Sequence, residues 1–157
     1  MVTDHAPKRH GHGENSGMKA RDDSSPQPPN DQSFPKALRL RKRREFDQVF
    51  AEKCSVSGTC VVIYARENDH GFSRLGLIVS RKCGKSVLRN RWKRLMREVF
   101  RLQRGRIRAG LDLVMIPRRG AEPDFAVMMR EFPGLIRRLI GKLHRRASAS
   151  GREAGEK

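Results

Sequence analysis

Acidic residues are scarce in this chain. Its 157 residues carry 35 Lys or Arg against 17 Asp or Glu, a formal net charge of +18. Long apolar runs are missing as well. The longest, Cys60 to Ala65, spans six residues, whereas a membrane-spanning helix needs roughly 20. The opening residues hold no apolar segment, so no secretory signal is expected. Cysteine is limited to Cys54, Cys60 and Cys83. They lack zinc spacing and a C-x-x-C pair, which fits reduced cytosolic thiols. There is no Ser-His-Asp order and no paired-carboxylate motif. Neither a protein catalytic residue nor a metal-ligand set emerges. These absences leave a cytoplasmic protein with a polyanionic partner.

The charge is unevenly placed. Residues 1–35 carry four basic residues against five acidic ones. Residues 81–108 carry twelve basic residues against Glu98 alone, a net +11. A segment so charged repels itself unless an anion neutralises it, and nucleic acid is the commonest such partner. An anionic membrane surface is the other candidate, and it requires an exposed apolar face on the same helix. Residues 1–35 show no periodicity and are rich in Pro, Gly, Ser, Asn, Asp and His. So little apolar surface cannot offset the entropy of ordering, so a disordered tail is expected, with His5, His10 and His12 solvated rather than metal-bound.

An ordered domain is expected over 36–145, followed by a flexible tail over 146–157. Phe46, Val49 and Phe50 at i, i+3 and i+4, after Leu38 and Leu40, predict a helix over 39–52. Ser55 to Gly58 end it. Alternation and β-branched content predict strands over 59–66 and 74–80, joined by a polar turn as a hairpin. Leu88, Trp92, Leu95, Met96 and Val99 form one face of a helix over 85–103, with Ser86 as its cap. That helix crosses between strands that could be parallel neighbours. A third strand is predicted over 112–117. A last helix over 124–143 should kink or break at Pro133-Gly134. The order of elements gives an α+β domain of about 110 residues, enough for one modest core.

On the helix over 85–103, Asn90, Arg94, Arg97 and Arg101 fall opposite Trp92 at about 100° per residue. Guanidinium groups pair bidentately with phosphates, and Asn can bond phosphate, sugar or base. Solvated charged faces normally mix signs, and this one does not. The run Val87-Leu88-Arg89-Asn90-Arg91-Trp92-Lys93-Arg94-Leu95-Met96-Arg97-Glu98 closely resembles the signature helix of the bacterial ribonuclease P protein component. Leu40 through Phe50 is similar to that family's first helix, and Arg74 through Gly84 to the strand leading into the signature. The resemblance covers roughly Leu38 to Leu143.

The resemblance implies a small basic subunit bound to a large catalytic RNA, the complex removing the 5′ leader of precursor tRNA endonucleolytically. The RNA then holds Mg2+ and performs the hydrolysis, and the protein binds no cofactor of its own. No membrane and no protein partner are expected. The implied fold is a two-layer α+β sandwich, a small mixed sheet of about four strands packed by three helices, with a left-handed βαβ crossover. The fourth strand is expected beside 112–117 or near 118–124. Arg89, Asn90, Arg91, Lys93, Arg94 and Arg97 match the signature, implying contact with the RNA subunit. Phe46, Phe50 and Tyr64 match the aromatic positions of a central cleft that holds the single-stranded leader. Read from the pattern alone, Phe46 and Phe50 are core residues; with the resemblance they are partly exposed. Ser80, Arg81 and Lys82, and with them Arg41 and Arg44, are candidates for the leader backbone. Trp92 stands where smaller aliphatics are usual, and its place on the apolar stripe assigns it to packing. A ribosomal protein or RNA chaperone is the alternative, and it needs the basic helix but not exposed aromatics.

Overall fold

The computed structural model describes residues 34–153, with side chains through residue 151. Of the tail expected over 1–35, residues 1–33, with their histidines, lie outside the described residues. Four strands form one mixed sheet: β1 (Ser55–Ser57), β2 (Val61–Glu67), β3 (Arg74–Leu77) and β4 (Leu111–Pro117), in the order β1-β2-β4-β3. Three α-helices pack on it: α1 (Arg43–Ala51), α2 (Ser86–Gln103) and α3 (Phe125–Glu153). β3 and β4 are parallel neighbours joined through α2, and β2 runs antiparallel to β4.

Period-two alternation sorts the strand residues between two apolar clusters. Leu75, Leu77 and Val79 face one cluster with Ile63, Ala65, Leu113 and Met115. Trp92, Met96, Val99 and Phe100 of α2 and Phe132, Leu135 and Leu139 of α3 complete it. Tyr64, Ile78, Val114 and Ile116 face the other way and meet Phe46, Val49 and Phe50 of α1. So α2 and α3 share one side of the sheet and α1 lies on the other. Trp92 is 1% exposed and Val99 fully buried, while Leu88 and Leu95 pack against the same cluster. The stripe that a membrane-bound reading must turn toward lipid is therefore inside the protein.

Several boundaries and pairings differ from the sequence expectations. The first helix begins at Arg43, not 39. Arg39 bridges to Leu75, and the Leu40 N–H donates to the Leu75 carbonyl at 3.0 Å, so this stretch extends alongside β3. Leu38 closes a short 3-10 turn over Lys36–Leu38, and Leu40 is buried just beyond it on the extended segment. The domain also starts earlier than 36: the Phe34 ring meets Phe100 edge-on, with centroids 5.5 Å apart.

The predicted hairpin does not form, because β4 lies between β2 and β3. The connection over 68–73 is held by the residues entering β4. Asn68 N–H donates to the Gly110 carbonyl at 2.8 Å, and Ser73 Oγ donates to the Arg108 carbonyl at 2.9 Å. The fourth strand is β1, at the far edge, and not beside 112–117 or near 118–124. Its pairing with β2 runs from Ser55–Tyr64 to Ser57–Val62.

Ser86 is the first residue of α2, not its cap; Lys85 holds the cap position and no side chain caps the helix. Finally, α3 runs unbroken through Pro133 and on past Arg145 to Glu153. Proline has no N–H for the carbonyl four residues earlier, which is that of Met129. The Gln103 side-chain amide donates to that carbonyl instead, at 2.7 Å. The helix thus keeps its course with the lost bond replaced from α2.

Candidate nucleic-acid interface

The stripe that buries α2 also fixes the direction of its charges. Asn90, Arg91 and Arg94 are exposed, with Arg89, Lys93 and Arg97 half-buried beside them. None of these side chains is ion-paired among the described residues. Glu98, the one acid in the segment, is engaged by Arg101, whose Nε donates to it at 2.9 Å. The Arg101 hydrogen bond holds the Glu98 carboxyl below its ordinary value. The Arg89 Nε atom is buried without a partner. Burial, reinforced by the charge of Arg39, pushes the Arg97 guanidinium below its ordinary value.

Arg39 is a residue that sequence reasoning missed. Its Nη2 donates to the Phe34 carbonyl at 2.9 Å, its guanidinium carbon lies 4.9 Å from the Phe34 ring, and its Nε is buried without a partner. It adds a fixed cation to the Arg97 side of the face. The only sequence signal was its place in the basic run at 39–44, which the helix prediction spread over the wrong periodicity.

Across the sheet, Phe46, Phe50 and Tyr64 are brought together and left half-buried. The Phe50 and Tyr64 rings meet edge-on with centroids 4.9 Å apart. Phe46 rests on Gly76 of β3, where any side chain would collide with the ring. Arg41 and Arg44 are exposed at the start of α1, and Ser80, Arg81 and Lys82 are exposed just beyond β3. Ser80 and Lys82 line a hollow with Trp92 and residues 117–121, so the structure does not bring them together with the aromatic group.

A buried network holds α1 in place over these rings. Asp112 of β4 is fully buried and accepts from Arg74 Nε at 2.8 Å, Arg74 Nη2 at 2.7 Å and Asn68 Nδ2 at 2.6 Å. Arg74 also donates to Glu45 at 2.9 Å, and Glu45 accepts from the backbone N–H groups of Arg41 and Lys42. One guanidinium thus ties two strands to the first turn of α1. Burial alone would raise the Glu45 carboxyl, but those backbone bonds and Arg74 hold it below its ordinary value.

The cysteines are free, and burial raises the thiols of Cys54 and Cys60. Among the described residues no three metal-ligating side chains cluster. The arrangement presents one basic helical face and one aromatic sheet face, on opposite sides of a single sheet.

Known proteins share both the sequence and this architecture. The family model described as ribonuclease P matches residues 34–140. The ribonuclease P protein component of Thermotoga maritima is 38% identical over 115 residues, covering 70% of this chain and 98% of the relative. The solved ribonuclease P protein from Thermotoga maritima superposes with a TM-score of 0.58 at 39% identity, over 64% of this chain and 96% of that one. The Staphylococcus aureus ribonuclease P protein also gives 0.58, at 31% identity, over 65% and 94%. With the match spanning residues 34–140, signature helix included, the chain belongs to the ribonuclease P protein-component family.

Proposed function

We propose that this chain binds the catalytic RNA of ribonuclease P through the exposed face of α2. On the other side of the sheet it holds the 5′ leader of precursor tRNA over Phe46, Phe50 and Tyr64. It thereby assists endonucleolytic removal of the leader. In this reading the RNA holds Mg2+ and performs the hydrolysis, and the protein supplies positioning and charge. The observation that carries the proposal is the α2 face, where Arg89, Arg91, Lys93, Arg94 and Arg97 have no carboxylate partner among the described residues. Such a face is stabilised by phosphates, with a strong dependence on salt. The aromatic group favours the leader role over a ribosomal or chaperone role. Half-exposed rings give base stacking of roughly 1–3 kcal/mol each without demanding sequence, and a plain scaffold has no use for them.

The test is precursor-tRNA cleavage at low magnesium by the RNA subunit, with and without this protein. Stimulation is expected; no stimulation overturns the proposal. Arg91→Ala with Arg94→Ala should lower the log–log salt slope of RNA-subunit binding by about 2, roughly 1 per lost phosphate contact. Phe50→Ala should weaken binding of leader-bearing precursor and leave mature tRNA binding unchanged.

A further inference from the structure

α2 does not hold all of the unpaired charge. Between Phe125 and Ser150, α3 carries Arg130, Arg137, Arg138, Lys142, Arg145 and Arg146 against Glu131 alone. Met128, Phe132, Leu135, Leu139 and Leu143 turn the helix's other side into the core, so the cations face outward. Three of them, Arg130, Arg137 and Arg138, together with Arg118 wall a groove of about 760 Å³ between α3 and the β1–β2 turn.

The one acid in that groove is already occupied. Glu131 accepts from the Thr59 N–H at 2.8 Å and from the Thr59 hydroxyl, bonds that hold its carboxyl below the ordinary value. Arg118 and Arg138 donate to the Gly58 and Ser57 carbonyls at 2.9 and 3.3 Å, which fixes their heads along the groove. Arg130 and Arg137 make neither a hydrogen bond nor an ion pair among the described residues. Residues 130, 134, 137, 141 and 145 recur at helical spacing on one face. Two of them are Gly134 and Gly141, and a Cβ at either would touch nothing within 4 Å. The backbone is therefore open to close approach between the arginines. No aromatic side chain lines the groove, unlike the sheet face across the molecule, so nothing here would stack on splayed bases. Cations spaced along a helix without aromatics suit the phosphate backbone of double-helical RNA, which proteins read by shape and phosphate contacts.

α3 lies over β1 and β2, and α2 over β3, in one layer on the same side of the sheet. A large folded RNA seated on α2 therefore has the outer face of α3 within its reach, while the aromatic face is turned away. We propose that the outer face of α3 is a second RNA-binding surface, gripping the backbone of a double-helical segment of the same RNA that occupies α2. This rests on the assignment of the RNA subunit to α2, and the test separates the two. It goes beyond the family assignment in giving α3 a role, and Lys142, Arg145 and Arg146 carry the exposed basic charge of the helix past residue 140, where the family match ends.

The test measures RNA-subunit affinity against salt for the full chain, for Arg130→Gln/Arg137→Gln, for Arg91→Ala/Arg94→Ala, and for the combined variant. Thermal unfolding checks that each folds. Arg130→Gln/Arg137→Gln should lower the log–log slope by about 2, so that affinity falls roughly tenfold less between 50 and 200 mM salt. The combined variant should lose the sum. A slope altered only by the α2 changes overturns the α3 proposal and leaves the α2 reading standing. Slopes altered by neither pair overturn both. Loss of mature tRNA binding, with RNA-subunit binding intact, assigns the face to the substrate and overturns the proposal. So does loss of polyglutamate binding with the RNA slope unchanged, which would mark an acidic protein as the partner.

Discussion

Gly76→Ala tests how tightly the aromatic group is seated on the sheet. A Cβ at position 76 would lie 2.6 Å from Phe46 Cε1, 2.9 Å from Cζ and 3.1 Å from the Leu40 Cβ. Carbon atoms in contact rest at about 3.5–4.0 Å, so the Phe46 ring would have to retreat by roughly 1 Å. Backbone conformation is not the obstacle, since Gly76 is not among the residues with positive φ. The ring cannot simply carry its helix outward, because Arg74 clamps Glu45, the residue beside it, at 2.9 Å. Overpacking of this kind costs about 1–3 kcal/mol, offset by about 0.5–1 kcal/mol from removing a flexible glycine. The expected net loss is about 1–2 kcal/mol. Urea unfolding should show it as a lower midpoint with the slope unchanged. Precursor affinity should fall as the ring leaves its place. Gly141→Ala is the matched comparison: it lies inside α3 with nothing within 4 Å of its Cβ, so the same chemical change should stabilise by about 0.5–1 kcal/mol. If Gly76→Ala raises the midpoint as Gly141→Ala does, the close seating of Phe46 is wrong.

Three further expectations concern the groups that position the interface. Arg74→Ala leaves the buried Asp112 carboxylate with Asn68 as its remaining side-chain donor, and breaking such a pair costs about 3–5 kcal/mol; Arg74→Met with Asp112→Asn should cost less in chemical denaturation, and an equal or greater loss would refute the account. Gln103→Leu should cost about 1–3 kcal/mol by stranding the Met129 carbonyl. In a Pro133→Ala background residue 133 regains an N–H for that carbonyl, so the cost should shrink, and strict additivity in the double-mutant cycle would sink the idea. The folded Glu45 carboxyl lies below its ordinary value, so the stabilisation it provides is complete above the unfolded carboxylate range and is lost as pH falls through the folded value. Stability measured below about pH 5 should therefore fall less steeply for Glu45→Gln than for the parent chain, and superimposable acid limbs would count against the clamp.

Two residues show where local pattern stops determining this fold. The α2 stripe was legible because Leu88 to Val99 repeats at one period over three turns, and the charges opposite it then have only one direction to face. The partial exposure of the aromatics follows from the family resemblance alone, since Phe46, Val49 and Phe50 obey the same i, i+3, i+4 rule whether their helix ends in the core or on a half-open sheet face. The misread features all depend on partners distant in sequence. Strand β1 contributes one buried residue, Val56, too little for any period to register. The alternation of β2 is satisfied equally by β3 or by β4, so proximity in the chain suggested the wrong neighbour. Yet among the described residues only Gln103 and Asp112 are buried and polar, and each marks one of these misreadings. Asp112 interrupts an apolar strand and needs a cation; Arg66 of β2 and Arg74 of β3 both stand in register with it, and Arg74 takes the carboxylate while Arg66 turns to Gln48, so β4 lies between the two strands that offer one. Gln103 ends the core stripe of α2 and needs an acceptor; Pro133 creates a free carbonyl at Met129, and their meeting explains an unbroken α3. A polar side chain that an otherwise apolar face must bury is therefore a demand for a specific long-range partner, and here both demands identify contacts that hydrophobic periodicity alone had left undetermined.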